Sequence, residues 1–162
     1  MAGKRRNMME QRDHANVKIH PPILLLLHIL AAFLLNRLLP LPFAFPGILV
    51  WVGYGLILVG LGLASSAVRE LIKADTTLDP HGSATEIVTT GPYRFSRNPI
   101  YLGFVCLLIG FPFVFRSYWG LVLSPVFFAL INRLVIQHEE AYLGKKFAEV
   151  YTRYKSRVKR WL

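Results

Sequence analysis

Residues 41–68 read LPFAFPGILVWVGYGLILVGLGLASSAV, 28 in a row without an Asp, Glu, Lys or Arg. A bilayer core about 30 Å thick is crossed by about 20 mainly apolar residues in a helix. The stretch is long enough to span with residues to spare, and we assign a span to about 47–68. Gly53, Gly55, Gly60 and Gly62 lie inside it. Each would weaken a water-soluble helix by about 0.5–1 kcal/mol relative to Ala. In a membrane, small residues instead let neighbouring helices approach closely. The competing reading is a buried core helix of a soluble protein.

Three more spans follow by the same criterion. Residues 21–39 are apolar except for His28 and the Asn36-Arg37 pair near the end, where Arg reaches the interface. We read this segment as a retained helix rather than a signal peptide, because it starts late and lacks a small-residue cleavage site. Residues 99–115 and 117–132 are uncharged runs separated only by Arg116. They form a helical hairpin, with the last span carried to about 137.

The chain carries 54% hydrophobic and 17% charged residues and a net charge of +10. Such a charge would ordinarily suggest nucleic acid, but its distribution points to a membrane. Lys4, Arg5, Arg6, Arg12 and Lys18 precede the first span, and Arg37 alone marks the first loop. Arg69, Lys73, Arg94 and Arg97 fall in the second loop, and Arg116 alone in the third. Seven basic residues (Lys145, Lys146, Arg153, Lys155, Arg157, Lys159 and Arg160) follow the fourth span. This alternation is the positive-inside pattern with both termini cytoplasmic. The expectation is an all-α, polytopic membrane protein with about four spans, a basic segment over 1–20 and one domain over 21–162. Nucleic acid is not expected as a partner, and one cysteine, Cys106, excludes a disulfide framework.

Two regions outside the spans hold further signals. In the tail, Leu143, Phe147, Val150, Tyr151, Tyr154, Val158 and Trp161 recur at three- and four-residue intervals, as on one face of a helix. A basic amphipathic helix of this kind lies in the headgroup zone; the same face could instead close over a pocket. The loop over 69–98 is longer than a turn between antiparallel helices requires. It contains Thr76, Thr77, Asp79, Pro80 and His81 and ends in GPYRFSRNP. We expect irregular structure there with one short helix.

The end of that loop points to a site. Asn98 before Pro99 is a helix-start signal, Asn capping free amides and Pro suiting the first position. A helix N-terminus favours anions, and Arg94 and Arg97 lie beside it. The alternative is a capped span with interfacial arginines. Further on, Arg133, Gln137 and Glu140 share one face of a regular helix, with Ile136 beside them. An ionisable group at membrane depth costs about 2.5–3.5 kcal/mol and usually faces a cavity or partner. Arg133 fits that description, whereas Glu139 could also sit at the cytoplasmic edge. If spans three and four form a hairpin, Arg97, Asn98, Pro99 and Tyr101 meet Gln137, Glu139 and Glu140.

These residues resemble the superfamily of isoprenylcysteine carboxyl methyltransferases and phospholipid methyltransferases, which are integral membrane enzymes. Its pattern is Arg-His-Pro-x-Tyr, an apolar stretch, then Glu-Glu. Here the sequence has Arg97-Asn98-Pro99-Ile100-Tyr101 and, one hairpin later, Glu139-Glu140. TTLDP at 76–80, VTTGPYRFSRNPIYLG at 88–103 and EEAYLGKKFAEVYTRY at 139–154 are also similar to the superfamily, so the likeness covers about 70–162. Asn98 stands where the eukaryotic enzymes carry His, so imidazole acid/base chemistry is missing and a binding role is expected. Ala148 stands where Gly is usual, and we expect only a small steric adjustment.

The resemblance implies S-adenosylmethionine as cofactor and a membrane-embedded lipid or prenylated acceptor. The acceptor group is most simply a carboxylate, such as that of a prenylcysteine or related isoprenoid. Given that cofactor, the candidate catalytic residues are Arg97, Glu140 and Arg133: Glu140 for the cofactor's ammonium, Arg97 for its carboxylate and Arg133, by its depth in the fourth span, for the acceptor. Tyr93, Asn98, Tyr101, Leu102, Gly103, Gln137, Glu139, Tyr151 and Tyr154 complete the implied cofactor set, and no metal is implied. The alternatives are N-methylation of a phosphatidylethanolamine-type lipid, and a non-catalytic scaffold or lipid-binding protein. For a prokaryotic chain the membrane would be the inner one. The oligomeric state stays open.

Overall fold

A computed structural model describes residues 14–41, 46–79 and 82–162. Lys4, Arg5, Arg6 and Arg12 of the basic segment, and Pro80 and His81 of the loop, lie outside the described residues. Helix α1 covers Pro21–Leu38 and α2 covers Ile48–Lys73. A 3₁₀ turn at Gly91–Arg94 leads to α3, Pro99–Val114. Helix α4 covers Tyr118–Ile131 and continues through a π-helical stretch, Asn132–Ile136, into α5, Gln137–Arg157. No strand occurs among the described residues.

The chain is an all-helical, polytopic membrane protein. Among the described residues, α1, α2 and the continuous run Tyr118–Arg157 are long and apolar enough to cross a bilayer; α3 is a shorter apolar helix. Helix α2 outlasts the expected span, ending at Lys73 rather than near 68. Lys73 donates to Glu70 at 2.7 Å across one turn there. Large apolar side chains such as Leu26, Phe33, Trp51 and Leu58 point outward. That is unfavourable in water and natural in lipid, where no hydrophobic force pulls them in.

What holds the helices in register is an antiparallel seam between α2 and α3. A Cβ added to Gly60 would lie 2.8 Å from the Gly103 carbonyl oxygen, and one on Gly103 would lie 2.7 Å from that of Gly60. Seven residues away on each helix the pattern repeats, with 2.7 Å from Gly53 to the Gly110 oxygen and 2.9 Å in return. Close backbone approach therefore uses Gly53 and Gly60 of the four α2 glycines. Gly55 and Gly62 face open space.

The expected hairpin of α3 and α4 also forms. Arg116 turns it with a φ of 53°, and Gly120 abuts the Pro112 ring. The core lies between α1, α3 and α4, around Leu24, Leu107, Leu108, Phe127 and Ile131. Ala15 and Val17 join it, so part of the segment expected as a basic arm is buried. Lys18 N–H anchors that segment on the Leu134 carbonyl at 3.4 Å.

The seam gives a direct test. Gly60→Val forces a methyl group against backbone, an overpacking expected to cost about 3 kcal/mol. Gly62→Val, on the open face, should leave the melting temperature of the detergent-solubilised protein nearly unchanged. Equal melting temperatures for the two variants would contradict this packing.

Candidate functional site

Three segments converge at one end of the bundle: the 3₁₀ turn with the start of α3, the start of α5, and the chain after α5. Glu140 joins them. Its carboxylate lies 3.1 Å from Arg97 Nη1 and takes Arg160 in a bidentate grip, from Nε at 3.1 Å and Nη2 at 2.5 Å. The Arg97 and Glu140 side chains are only 8% and 10% exposed. A buried pair of this kind is not strongly stabilising by itself, but removing one partner leaves an uncompensated charge, at about 3–5 kcal/mol. The Glu140 contact raises the already high pKa of Arg160, so that guanidinium stays charged.

One turn away, Tyr101 donates to Glu139 at 2.6 Å, the only side-chain hydrogen bond of Glu139 among the described residues. Arg97, Tyr101, Glu139 and Glu140 line a cavity of about 160 Å³ that opens to solvent. Tyr93, Asn98, Tyr151 and Tyr154 complete its aromatic and polar wall, and Thr76, Asp79 and Leu143 lie toward the loop side. Tyr154 donates to the Tyr93 carbonyl at 2.7 Å, tying α5 to the 3₁₀ turn. Burial, reinforced by Tyr154 and Glu139, pushes the Tyr93 phenol up, so it stays neutral. Arg97 Nε is buried without a hydrogen-bond partner.

Arg133 and Gln137 are elsewhere. The π-helical stretch interrupts regular α-helical spacing, with the Asn132 side chain taking the Phe128 carbonyl at 2.8 Å. Arg133, Gln137 and Glu140 therefore do not share the single face that regular periodicity predicts. Arg133 and Gln137 are exposed in a second groove, also lined by Arg97, Phe128, Ala129, Asn132, Arg160 and Trp161. Arg97 borders both spaces.

Four other expectations are corrected. Leu102 and Gly103 do not line the cavity; Gly103 serves the α2–α3 seam. The Asn98 side chain does not cap α3. Pro99 has already removed one amide from the first turn, and Asn98 Nδ2 instead donates to the Arg160 carbonyl at 3.0 Å. The periodic face of the tail is also broken: Val150 is 60% exposed while Tyr151 and Tyr154 are buried. The cause is Ala148, at φ 38° and ψ −106° inside α5. A non-glycine residue in that region is strained, so Ala148 is more than a small steric adjustment.

Residues missed in the sequence cluster in the final extended segment. Val158 turns extended, and Lys159 then accepts from Arg97 N–H at 3.0 Å. Trp161 stacks on Phe128 at 4.8 Å between ring centroids. Ser96, also missed, donates to the Arg160 carbonyl at 3.2 Å and accepts from Asn98 N–H at 3.1 Å. Arg160 gave no signal of its own, being one of seven basic residues in the tail.

The phospholipid methyltransferase family model matches residues 48–150, from α2 through the kink in α5. The chain belongs to the phospholipid methyltransferase family. A nickel-cobalt-cadmium resistance protein, NccN, from Alcaligenes xylosoxydans xylosoxydans is 33% identical over 101 residues, which is 61% of this chain and 46% of the relative. An uncharacterized protein of Haemophilus influenzae is 49% identical over 37 residues, 23% of this chain and 59% of that one. The chain thus spans roughly half the length of these curated relatives. No solved structure matches it significantly.

Restoring glycine at the kink tests the geometry of this family member. Ala148→Gly should raise stability by about 1 kcal/mol by relieving a strained φ, read as a higher melting temperature. A regular helix at Ala148 would instead make the substitution destabilising by about 1 kcal/mol.

Proposed function

We propose that the chain transfers a methyl group from S-adenosylmethionine to a membrane-embedded, lipid-like acceptor, most simply a carboxylate. The observation that carries this reading is Arg97: it borders both the inner cavity and the outer groove, and its buried Nε has no partner among the described residues. A donor buried without an acceptor is costly, by about 1–3 kcal/mol, and a ligand carboxylate would relieve it. The chemistry of the cavity lining also suits the rest of the cofactor. Glu139, met only by the Tyr101 hydroxyl, is its counterion for an ammonium or sulfonium group. Tyr93, Tyr101, Tyr151 and Tyr154 offer ring faces to a nucleoside and a cation.

Glu140 takes a different role from direct ammonium binding. With two guanidinium groups on its carboxylate, it fixes Arg97 between cofactor and acceptor. Bound there, S-adenosylmethionine would supply an electrophilic methyl carbon for an acceptor oxygen, with its sulfur as the leaving group that keeps the electron pair. The protein's task is alignment, which in well-oriented systems lowers barriers by about 7–11 kcal/mol. A carboxylate acceptor is ionised near neutral pH and needs no general base, in keeping with Asn98 in place of an imidazole. The Arg133 side chain, exposed in the groove without a hydrogen bond or ion pair among the described residues, orients that acceptor. A lipid amine, cationic before reaction, would be repelled by the same guanidinium groups. With the tail basic and the loops alternating, the site faces the cytoplasm.

Calorimetric titration with S-adenosylhomocysteine tests the reading. The wild-type protein should bind saturably, and Glu139→Gln should weaken binding about tenfold through loss of a charged hydrogen bond. Arg133→Met should abolish methyl transfer while leaving this binding intact. Absence of saturable binding in the wild type would favour the scaffold alternative.

A further inference from the structure

The outer groove has a chemistry of its own. Three guanidinium groups border it, from Arg97, Arg133 and Arg160, and no carboxylate lines it among the described residues. Glu140 lies behind two of them and neutralises at most one charge. The groove therefore carries an uncompensated positive charge next to the Phe128–Trp161 ring stack. Such a pairing of cations with an apolar floor suits an amphiphile with an anionic head.

Arg160 is the group held most firmly for this purpose. Its carbonyl accepts from Ser96 Oγ and Asn98 Nδ2, and the preceding carbonyl, of Lys159, accepts from Arg97 N–H. Its side chain is fixed by Glu140 through Nε and Nη2, which leaves Nη1 without a partner among the described residues. A guanidinium fixed at both ends loses little entropy on binding a further anion, which is the advantage of preorganisation. Arginine in a planar fork is also the residue best matched to carboxylate and phosphate.

We propose that this groove binds the oxyanion of a lipid, a carboxylate or a phosphate, and that Arg160 positions it beside Arg97 while the Phe128–Trp161 stack supports the adjoining chain. The proposal rests on the reading of the groove as the acceptor side of a methyltransferase. Its specificity follows from the charge: an esterified, neutral head lacks the acceptor for Nη1 and for Arg133. Conversion of a carboxylate to its methyl ester would then release the product.

The test is calorimetric titration of the purified full chain in detergent with N-acetyl-S-farnesylcysteine, with its methyl ester, and with dihexanoylphosphatidic acid. S-Adenosylhomocysteine is titrated in parallel. At least one anionic amphiphile should bind saturably, and the methyl ester should bind at least about tenfold more weakly, as loss of one charged hydrogen bond implies. Binding of the farnesylcysteine acid or of the phosphatidic acid tells which oxyanion the groove takes. Arg160→Gln should weaken the anionic amphiphile about tenfold, and Arg160→Lys should restore part of that loss, with S-adenosylhomocysteine binding retained in the lysine variant. Equal affinity for acid and ester, or unchanged amphiphile binding in Arg160→Gln, would overturn the proposal. Loss of S-adenosylhomocysteine binding in Arg160→Lys would also overturn it, by making Arg160 a structural brace of the cavity. Amphiphile binding by a wild type that does not bind S-adenosylhomocysteine would support the groove and refute the cofactor cavity instead.

Discussion

A carboxylate withdrawn from water must recover its solvation from cations and donors close by, and Glu140 does so between Arg97 and Arg160. Those three side chains come from three places in the sequence: the loop before α3, the first turn of α5, and the segment beyond it. The bridge therefore closes the site end of the bundle much as the glycine seam fixes α2 on α3. Because each guanidinium also borders the outer groove, one ion network serves both as a brace and as the wall between the cavity and the groove. Removing Glu140, which both guanidinium groups share, would alter both spaces at once.

The membrane supplies the rest of the logic. Lipid gives helices no hydrophobic reason to associate, so their contacts are made by shape. Gly53 with Gly110 and Gly60 with Gly103 bring two backbones together, and that pairing positions the start of α3, including Arg97 and Tyr101. At the other wall, the π-helical stretch and the break at Ala148 aim α5 twice. The first separates Arg133 and Gln137 from Glu139 and Glu140, and the second turns Tyr151 and Tyr154 into the cavity.

The spans were legible because lipid writes its demand into composition: a helix-length run without a charge suits a bilayer far better than it suits water. The convergence of Arg97 and Tyr101 with Glu139 and Glu140 followed from the hairpin. Finer features left weaker traces. Gly55 and Gly62 are spaced seven apart just as Gly53 and Gly60 are, so periodicity could not say which pair faces α3. A change from α- to π-helical hydrogen bonding alters no residue type, and the face containing Arg133 and Glu140 was misassigned for that reason. Arg160 was hidden in a basic tail whose charge reads equally well as headgroup attraction. Ala148 carried a clue only through the resemblance, where glycine is usual.

The chemistry at this ion bridge is the central commitment, and a transfer assay reaches it most directly. Full-length protein reconstituted in liposomes is given S-adenosylmethionine with a tritiated methyl group, together with prenylcysteine analogues and total lipid extract. The expected result is label in the organic phase that mild alkali releases as methanol, the mark of a methyl ester, and no label with Arg133→Met. Label that resists alkali would contradict the carboxylate acceptor, and no labelled lipid under any condition would contradict methyl transfer itself.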